Sequence, residues 1–526
     1  MLILAALLVS LLIPLAILGL SFTRLRPGWL WLAAVIGSLA VWLLVILTRN
    51  QIPSEITLFH WRPEFWLGTS PTLLVDEISW LFAVAVTTLP IVVLLTDVAH
   101  LAESDPQNWA SILALSGVGL FAVVAENPIT LLLAWGVIDI FESLVFLQRV
   151  QSSQERERVV IAFSVRVGGV FLLMVAMLQA LANGNILTFH LIPPEVSGTL
   201  LLATGARLGV IPPHQPYLRE PSLRRGLGTI TRLVPVAASL VLVVRVADIG
   251  VSNLWLSAFM LLSSISVIFG ALALLRAEDE LQGRPYWILG LSAFALVSAA
   301  QGLVVASAAW GLALLFSGAL LFLFSFRDRK LLIFPLLGAT GFVALPFTPA
   351  WEGAAIFGVV SWGYRLIFSL ALALLLIGYL QHALRSKIEE ERFERWMWLI
   401  YPLGFAILFL TQFGMVYFQW AQSGRMISFQ TPGWWFGLLS LGLAAIFMVL
   451  NHRGSLSTPA FLGRLNKIFN LNWLYHIFWW IYRQIGRLLN LFSLLLEGEG
   501  GVLWALLILI LLVVSLSVFS TGGRQL

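Results

Sequence analysis

Sixteen apolar stretches run along this chain, at 1–22, 28–48, 78–98, 109–125, 128–148, 159–182, 197–212, 229–249, 254–275, 286–304, 306–325, 331–349, 354–381, 396–418, 432–450 and 501–520. Most approach the roughly 20 residues that carry a helix across about 30 Å of hydrocarbon. Short loops join most of them, which favours one continuous helical bundle. The predicted fold class is therefore an all-α polytopic membrane protein with about 16 transmembrane helices. Composition agrees: 60% of the 526 residues are hydrophobic, 11% are charged, and mean hydropathy is +0.94. Soluble domains sit near half apolar and a quarter charged. The first stretch lacks a basic start and a small-residue cleavage site, so it reads as a retained helix rather than a signal peptide.

Alternating the loops tests this segmentation. With the N-terminus outside, Arg24 and Arg26, Arg149, Arg156 and Arg158, Arg219, Arg224 and Arg225, Arg327, Arg329 and Lys330, and the bases between Arg385 and Arg395 all fall inside. Arg49, Arg62, Arg425 and Arg524 fall outside. Such a bias sets orientation in a cytoplasmic (inner) membrane. It accounts for the net charge of +5 and the pI near 9.7 without a nucleic-acid partner. The stretch 472–495 differs: Asn472, His476, Arg483, Arg487 and Asn490 form one polar stripe on an aromatic and aliphatic helix. It reads as a helix along the membrane interface, with a tilted spanning helix as the competing reading. The expected organisation is N-terminal helices and an outer loop at 1–70, a core at 71–395, further spans at 396–455, the amphipathic region at 456–499 and a final span at 500–526.

The chain has no cysteine and seven scattered histidines, so thiolate chemistry is excluded and no metal-ligand spacing stands out. No phosphate loop, nucleophile elbow or dinucleotide fingerprint is present. No cofactor, metal site or catalytic centre is expected.

Ionisable groups at membrane depth are functional candidates by default. Asp139 and Glu142 lie three residues apart in "LLLAWGVIDIFESLVFL" and share a helix face. Arg166 and Arg207 are candidate cations for them, and His214 follows a Pro-Pro turn in "ARLGVIPPHQPYL". Arg232, Arg245, Asp248, Glu352 and Arg365 complete the group. Buried ion pairs can also pin helices without carrying anything, and charges near span ends can snorkel. That second reading weighs more for Arg232, Asp248 and Glu352, which sit near predicted boundaries. Two segments look interrupted, 203–218 and 336–355, and broken helices are tolerated where they are buried or line a wet cavity.

Taken together, several stretches resemble the antiporter-like membrane subunits of respiratory complex I, membrane-bound hydrogenases and Mrp cation/proton antiporters. "LLVDEISWLF", "AENPITLLLAWGVIDIFESLVFL", "FSVRVGGVFLL", "GARLGVIPPHQPYL", "VPVAASLVLVVR", ending at Arg245, and "LLGATGFVALPFTPAWEGA" occur in the family's order and spacing over roughly 70–360. The resemblance implies two inverted five-helix units, each with a broken helix, and proton transfer along a mid-membrane polar axis driven by partner subunits. It implies a fifth-span glutamate paired with a seventh-span lysine. The C-terminal amphipathic helix and last span resemble the largest such complex I subunit.

Here the sequence departs from the family. Gly136 stands at the glutamate position after Trp135, with Asp139 one turn on; Arg207 replaces the lysine; Ala237 replaces an eighth-span lysine; and Ala354 stands at a twelfth-span ionisable position, with Glu352 two residues earlier. A buried lysine can release its proton, whereas arginine does not. The reading is a divergent subunit of a complex I-like NADH:quinone oxidoreductase with weakened or lost pumping. Asp139, Glu142, Arg207, His214, Arg166, Arg245 and Glu352 are its proton-pathway candidates. Alternatives are an Mrp-type antiporter or membrane-bound hydrogenase subunit, a purely structural scaffold and, last, an unrelated polytopic transferase. Expected partners are other membrane subunits, the bilayer, and protons or monovalent cations.

Overall fold

The computed structural model describes residues 1–452 other than 24–25, 60–68, 100–104, 151, 214–224, 327, 386–393 and 423–432; beyond 452 it describes only 479–481, 483–487, 490, 506, 509 and 510. The described chain is almost wholly helical. Its order is α1 (Leu2–Ser21), α2 (Pro27–Leu47), α3 (Glu77–Thr96), α4 (Pro106–Val123), α5 (Pro128–Arg149), α6 (Ser153–Ala182), α7 (Pro194–Leu208), α8 (Arg225–Val246), α9 (Asn253–Arg276), α10 (Glu280–Ala300), α11 (Val304–Leu323), α12 (Ile333–Thr340), α13 (Ile356–Val359), α14 (Trp362–Ala383), α15 (Met397–Gln422) and α16 (Trp434–His452). Ten helices among the described residues are long and apolar enough to cross a membrane. The count of sixteen spans exceeds that number, because several expected spans fold as shorter or interrupted helices and the stretch 501–520 lies almost entirely outside the described residues.

Helix starts follow local chemistry. Pro27, Pro106, Pro128 and Pro194 open their helices, where the missing N–H is no loss. Asp76 caps α3 and forms a reciprocal box with Ser79; Asn127 accepts from the Thr130 amide at the start of α5, and Asp279 from the Gln282 amide at α10. Such caps each contribute about 1 kcal/mol.

One feature was not expected: a two-stranded hairpin of β1 (Ser54–Thr57) and β2 (Thr72–Val75) between α2 and α3, paired Ser54 with Val75 and Thr57 with Thr72. Its strands are four residues each, too short to leave a pattern. Backbone bonds tie it to two other loops, Leu74 N–H to Val124 C=O, Glu126 N–H to Thr72 C=O and Phe189 N–H to Glu126 C=O. The connections α2–α3, α4–α5 and α6–α7 thus share one face, as strict alternation of spans requires.

Helix α8 is buried along its whole length and packs against α3, α4, α7, α10 and α11. Helices α1 and α2 lie outermost, with Leu8, Leu12, Leu15 and Ile36 exposed. Without water to drive helices together, close approach depends on small residues. A Cβ on Gly270 of α9 would meet the Tyr286 carbonyl at 2.8 Å and the Gly290 amide at 2.9 Å on α10.

Both expected interruptions are present. Helix α7 has 15 residues, about 22 Å of rise, and ends at Gly209 with φ 77°. The second break runs from the end of α12 through a 3-10 turn, Trp351–Ala355, into the single turn of α13, with Ala344 and Phe347 at positive φ.

The chain divides into two compact units, Met1–Thr458 and Pro459–Leu526. In the second, residues 479–481, 483–487 and 490 are helical and the Arg483 guanidinium lies 5.3 Å from the Trp479 ring centroid. The rest of the proposed amphipathic helix, including Asn472 and His476, lies outside the described residues.

Candidate functional site

Trp135, Asp139, Glu142 and Phe146 recur on α5 at spacings of four, three and four, so they form one stripe. Three arginines from three other helices meet it. Arg207, at the end of α7, donates from Nη1 to Asp139 Oδ2 at 2.7 Å and from Nη2 to Oδ1 at 2.8 Å. This is the bidentate fork that matches guanidinium to carboxylate. Arg207 Nη1 also donates to the Arg166 carbonyl at 3.2 Å, and the guanidinium lies 4.2 Å from the Trp135 ring centroid.

Arg166 of α6 bridges the two acids. It donates from Nη2 to Glu142 Oε1 at 2.5 Å, pairs through Nη1 with Glu142 Oε2, and reaches Asp139 Oδ1 at 3.5 Å. Arg232 of α8 donates to Glu142 Oε1 at 3.1 Å, with its guanidinium 4.8 Å from the Phe146 ring. The order Arg207, Asp139, Arg166, Glu142, Arg232 alternates in sign and is capped at each end by an aromatic ring. All five side chains are buried. A cleft of about 240 Å³, lined by Glu142, Ser143, Phe146, Arg166 and Arg232 among others, reaches one end of it.

Local structure makes room for this. A Cβ on Gly169 of α6 would sit 2.4 Å from Arg207 Cγ and 3.0 Å from the Ala203 carbonyl, so only glycine admits the arginine stem. Ending α7 at Leu208 brings Arg207 to the stripe. The freed backbone is satisfied nearby: Val210 and Ile211 amides donate to the Gly205 carbonyl, and Ser266 of α9 donates to the Val210 carbonyl at 2.7 Å.

A second polar group lies at the face that holds the hairpin. Arg245, at the C-terminal end of α8, donates to Asp76 Oδ1 at 3.2 Å and stands 3.9 Å from Glu126 Oε2. His190 of the α6–α7 loop contacts Glu126 through Nδ1. Burial pushes the Glu126 carboxyl above the usual carboxylate range, while the His190 contact and Arg245 pull the other way. At the opposite end of α8, Arg225 pairs with Glu280 of α10 at 2.6 Å.

The structure thus brings Asp139, Glu142, Arg166 and Arg207 together. It places Arg245 in the separate group around Glu126. Glu352 sits half-buried on the 3-10 turn, which packs against α11, α13 and α16. His214 lies outside the described residues. Arg232, read from sequence as a boundary charge, is a member of the network. Its segment was drawn from 229, but α8 begins at Arg225, so Arg232 lies two turns inside. Asp76, Glu126 and His190 carried no signal of their own; Asp76 and Glu126 read only as parts of motifs.

The second half of the bundle is different in kind. Around the second break, Trp287, Phe294, Trp310, Phe342, Phe368 and Tyr379 pack ring on ring, with centroids 4.5 to 5.3 Å apart. Ala354 is fully buried there. Among the described residues, no three His, Asp or Glu side chains are placed to hold a metal ion.

No family model and no curated protein matches the sequence. Solved structures do match. A chain of the Mrp complex from Dietzia sp. DQ12-45-1b superposes with a TM-score of 0.72 at 14% identity, covering 98% of this chain and 63% of that one. This chain therefore spans under two thirds of that subunit. A chain of the membrane-bound sulfane sulfur reductase, an archaeal respiratory membrane complex, gives 0.68 at 14% identity, covering 97% and 99%. One from Thermus thermophilus respiratory complex I gives 0.59 at 18% identity, covering 78% and 97%. The chain is a multi-pass membrane protein with the fold of the antiporter-like membrane subunits.

Proposed function

We propose that this chain is a membrane-arm subunit of a redox-driven, complex I-like assembly, in which its mid-membrane charges brace the antiporter-like fold instead of carrying protons. The observation that carries the reading is the fork of Arg207 on Asp139. A relay must give up its proton and take it back, and a guanidinium, which holds its proton in proteins, does not. The chain has only three lysines, Lys330, Lys387 and Lys467, none inside an apolar segment. The packing around the second break supports the same reading, since Ala354 stands buried there at the position where the family resemblance implies an ionisable residue. In this account protons and electrons move in partner subunits, the core at 71–395 is the bracing body, and the N-terminus faces out from a cytoplasmic membrane.

The near-complete match in both directions with the sulfane sulfur reductase chain favours a respiratory assembly. The higher TM-score with the Mrp chain keeps an Mrp-type antiporter subunit as the second reading. Purifying the tagged chain from its native membrane in mild detergent separates them. Redox subunits with quinone- or sulfur-linked activity are expected to come with it. Small antiporter subunits without redox centres would favour the second reading, and a chain that purifies alone would overturn both.

A further inference from the structure

The group around Glu126 belongs to neither half of the reading above, and its chemistry differs from that of the network. Three connections meet there: the turn before α5, the hairpin leading into α3, and the α6–α7 loop. Glu126 is buried, yet its partner His190 has a side chain 52% exposed. A titratable ring in water thus touches a carboxyl inside the protein. Arg245 completes the buried side, held on Asp76, which also caps α3. Glu126 Oε2 and Arg245 Nη1 are 3.9 Å apart and neither has a hydrogen-bond partner among the described residues. That separation is an ion pair but too long for a hydrogen bond.

We propose that His190 and Glu126 form a one-proton binding site that clasps the α6–α7 loop to the mouth of α8. With one proton shared between His190 and Glu126, the group of Asp76, Glu126, Arg245 and His190 sums to zero charge. Loss of that proton leaves the group at minus one around a buried carboxylate, which is unfavourable. The other charged groups nearby are engaged or turned outward. Glu77 reaches Arg49 at 3.5 Å and is 70% exposed, Glu195 accepts from Asn185 at 2.8 Å, and Asp248 is exposed on the turn after α8. Burial holds the Glu126 carboxyl above its usual range. A group raised in this way stabilises the closed loop fully below the ordinary carboxylate range, and the contribution is lost as pH rises through the raised value. The clasp therefore closes in acid and opens in alkali. Arg245 and Arg232 lie about 20 Å apart on one helix at 1.5 Å per residue, so the site reports at the aqueous end of the helix that anchors the network.

The chain has no cysteine, so a single reporter is clean. Leu191→Cys places a spin label on the exposed part of the loop. In the full chain in lipid nanodiscs, the label is expected to be immobile near pH 5 and mobile near pH 9. The ratio of the two populations should change about tenfold per pH unit, as for one proton. His190→Gln and Glu126→Gln, each added to the reporter, should abolish that transition. His190→Gln, at the half-exposed position, serves if the buried change prevents folding. Label mobility that is flat from pH 5 to 9, or a transition unchanged in the His190→Gln reporter, overturns the proposal. Neither result depends on whether the mid-membrane network carries protons.

Discussion

Arg207 and Asp139 define what a single residue does in this chain. Removing one partner leaves a charge stranded in low dielectric, and Arg207→Leu should cost about 3–5 kcal/mol. Removing both as Asp139→Leu with Arg207→Leu should recover most of it, because a well-packed apolar pair replaces a buried ion pair at little net cost. A double-mutant cycle on thermal unfolding in detergent checks this; additive losses would contradict it. Gly169→Ala should cost about 1–3 kcal/mol by crowding the Arg207 stem, and the loss should shrink in the Arg207→Leu background. Gly136→Glu should not substitute for Asp139, since a side chain there starts in open space with no atom within 4 Å. Expression of the Gly136→Glu, Asp139→Asn double variant no better than Asp139→Asn alone is the expected result. Asp139 and Glu142 were legible as a pair because helical spacing places them together. Arg232 read as a boundary charge because its segment was drawn from 229, whereas its helix begins at Arg225. The pairing of Glu126 with His190 was not legible, since it depends on two loops 64 residues apart.

At the level of elements, the break in α7 does the positioning. Gly and Pro announced it in the sequence, so its existence was readable. How the freed backbone is satisfied was not, because Ser266 belongs to another helix. Ser266→Ala leaves the Val210 carbonyl without its side-chain donor and should cost about 1–3 kcal/mol. Gly209→Val should cost more than Gly209→Asn, since asparagine tolerates left-handed backbone and a β-branched residue does not. Thermal midpoints of the three variants, ranked against wild type, test that order. The starts of α3 and α5 fell within one residue of the segments drawn from 78 and 128, whereas α10 begins at Glu280, six residues before its drawn segment. The hairpin was not readable, since four-residue strands leave no periodicity.

For the whole molecule, two halves of one bundle have been filled differently. One holds a ladder of fixed charge and the other a packed aromatic core. Trp310→Ala should therefore cost about 3–5 kcal/mol as a cavity in the second half, read as a lower thermal midpoint, without altering ion permeability in vesicles. The membrane class and the bundle followed from apolar length alone, whereas the division of labour between halves required the packing. The most direct test of the bracing account is proton translocation by the native assembly carrying the Asp139→Leu, Arg207→Leu pair. The account predicts an assembled complex whose protons moved per turnover equal the wild-type value. Loss of translocation in a complex that still assembles and still turns over would contradict it.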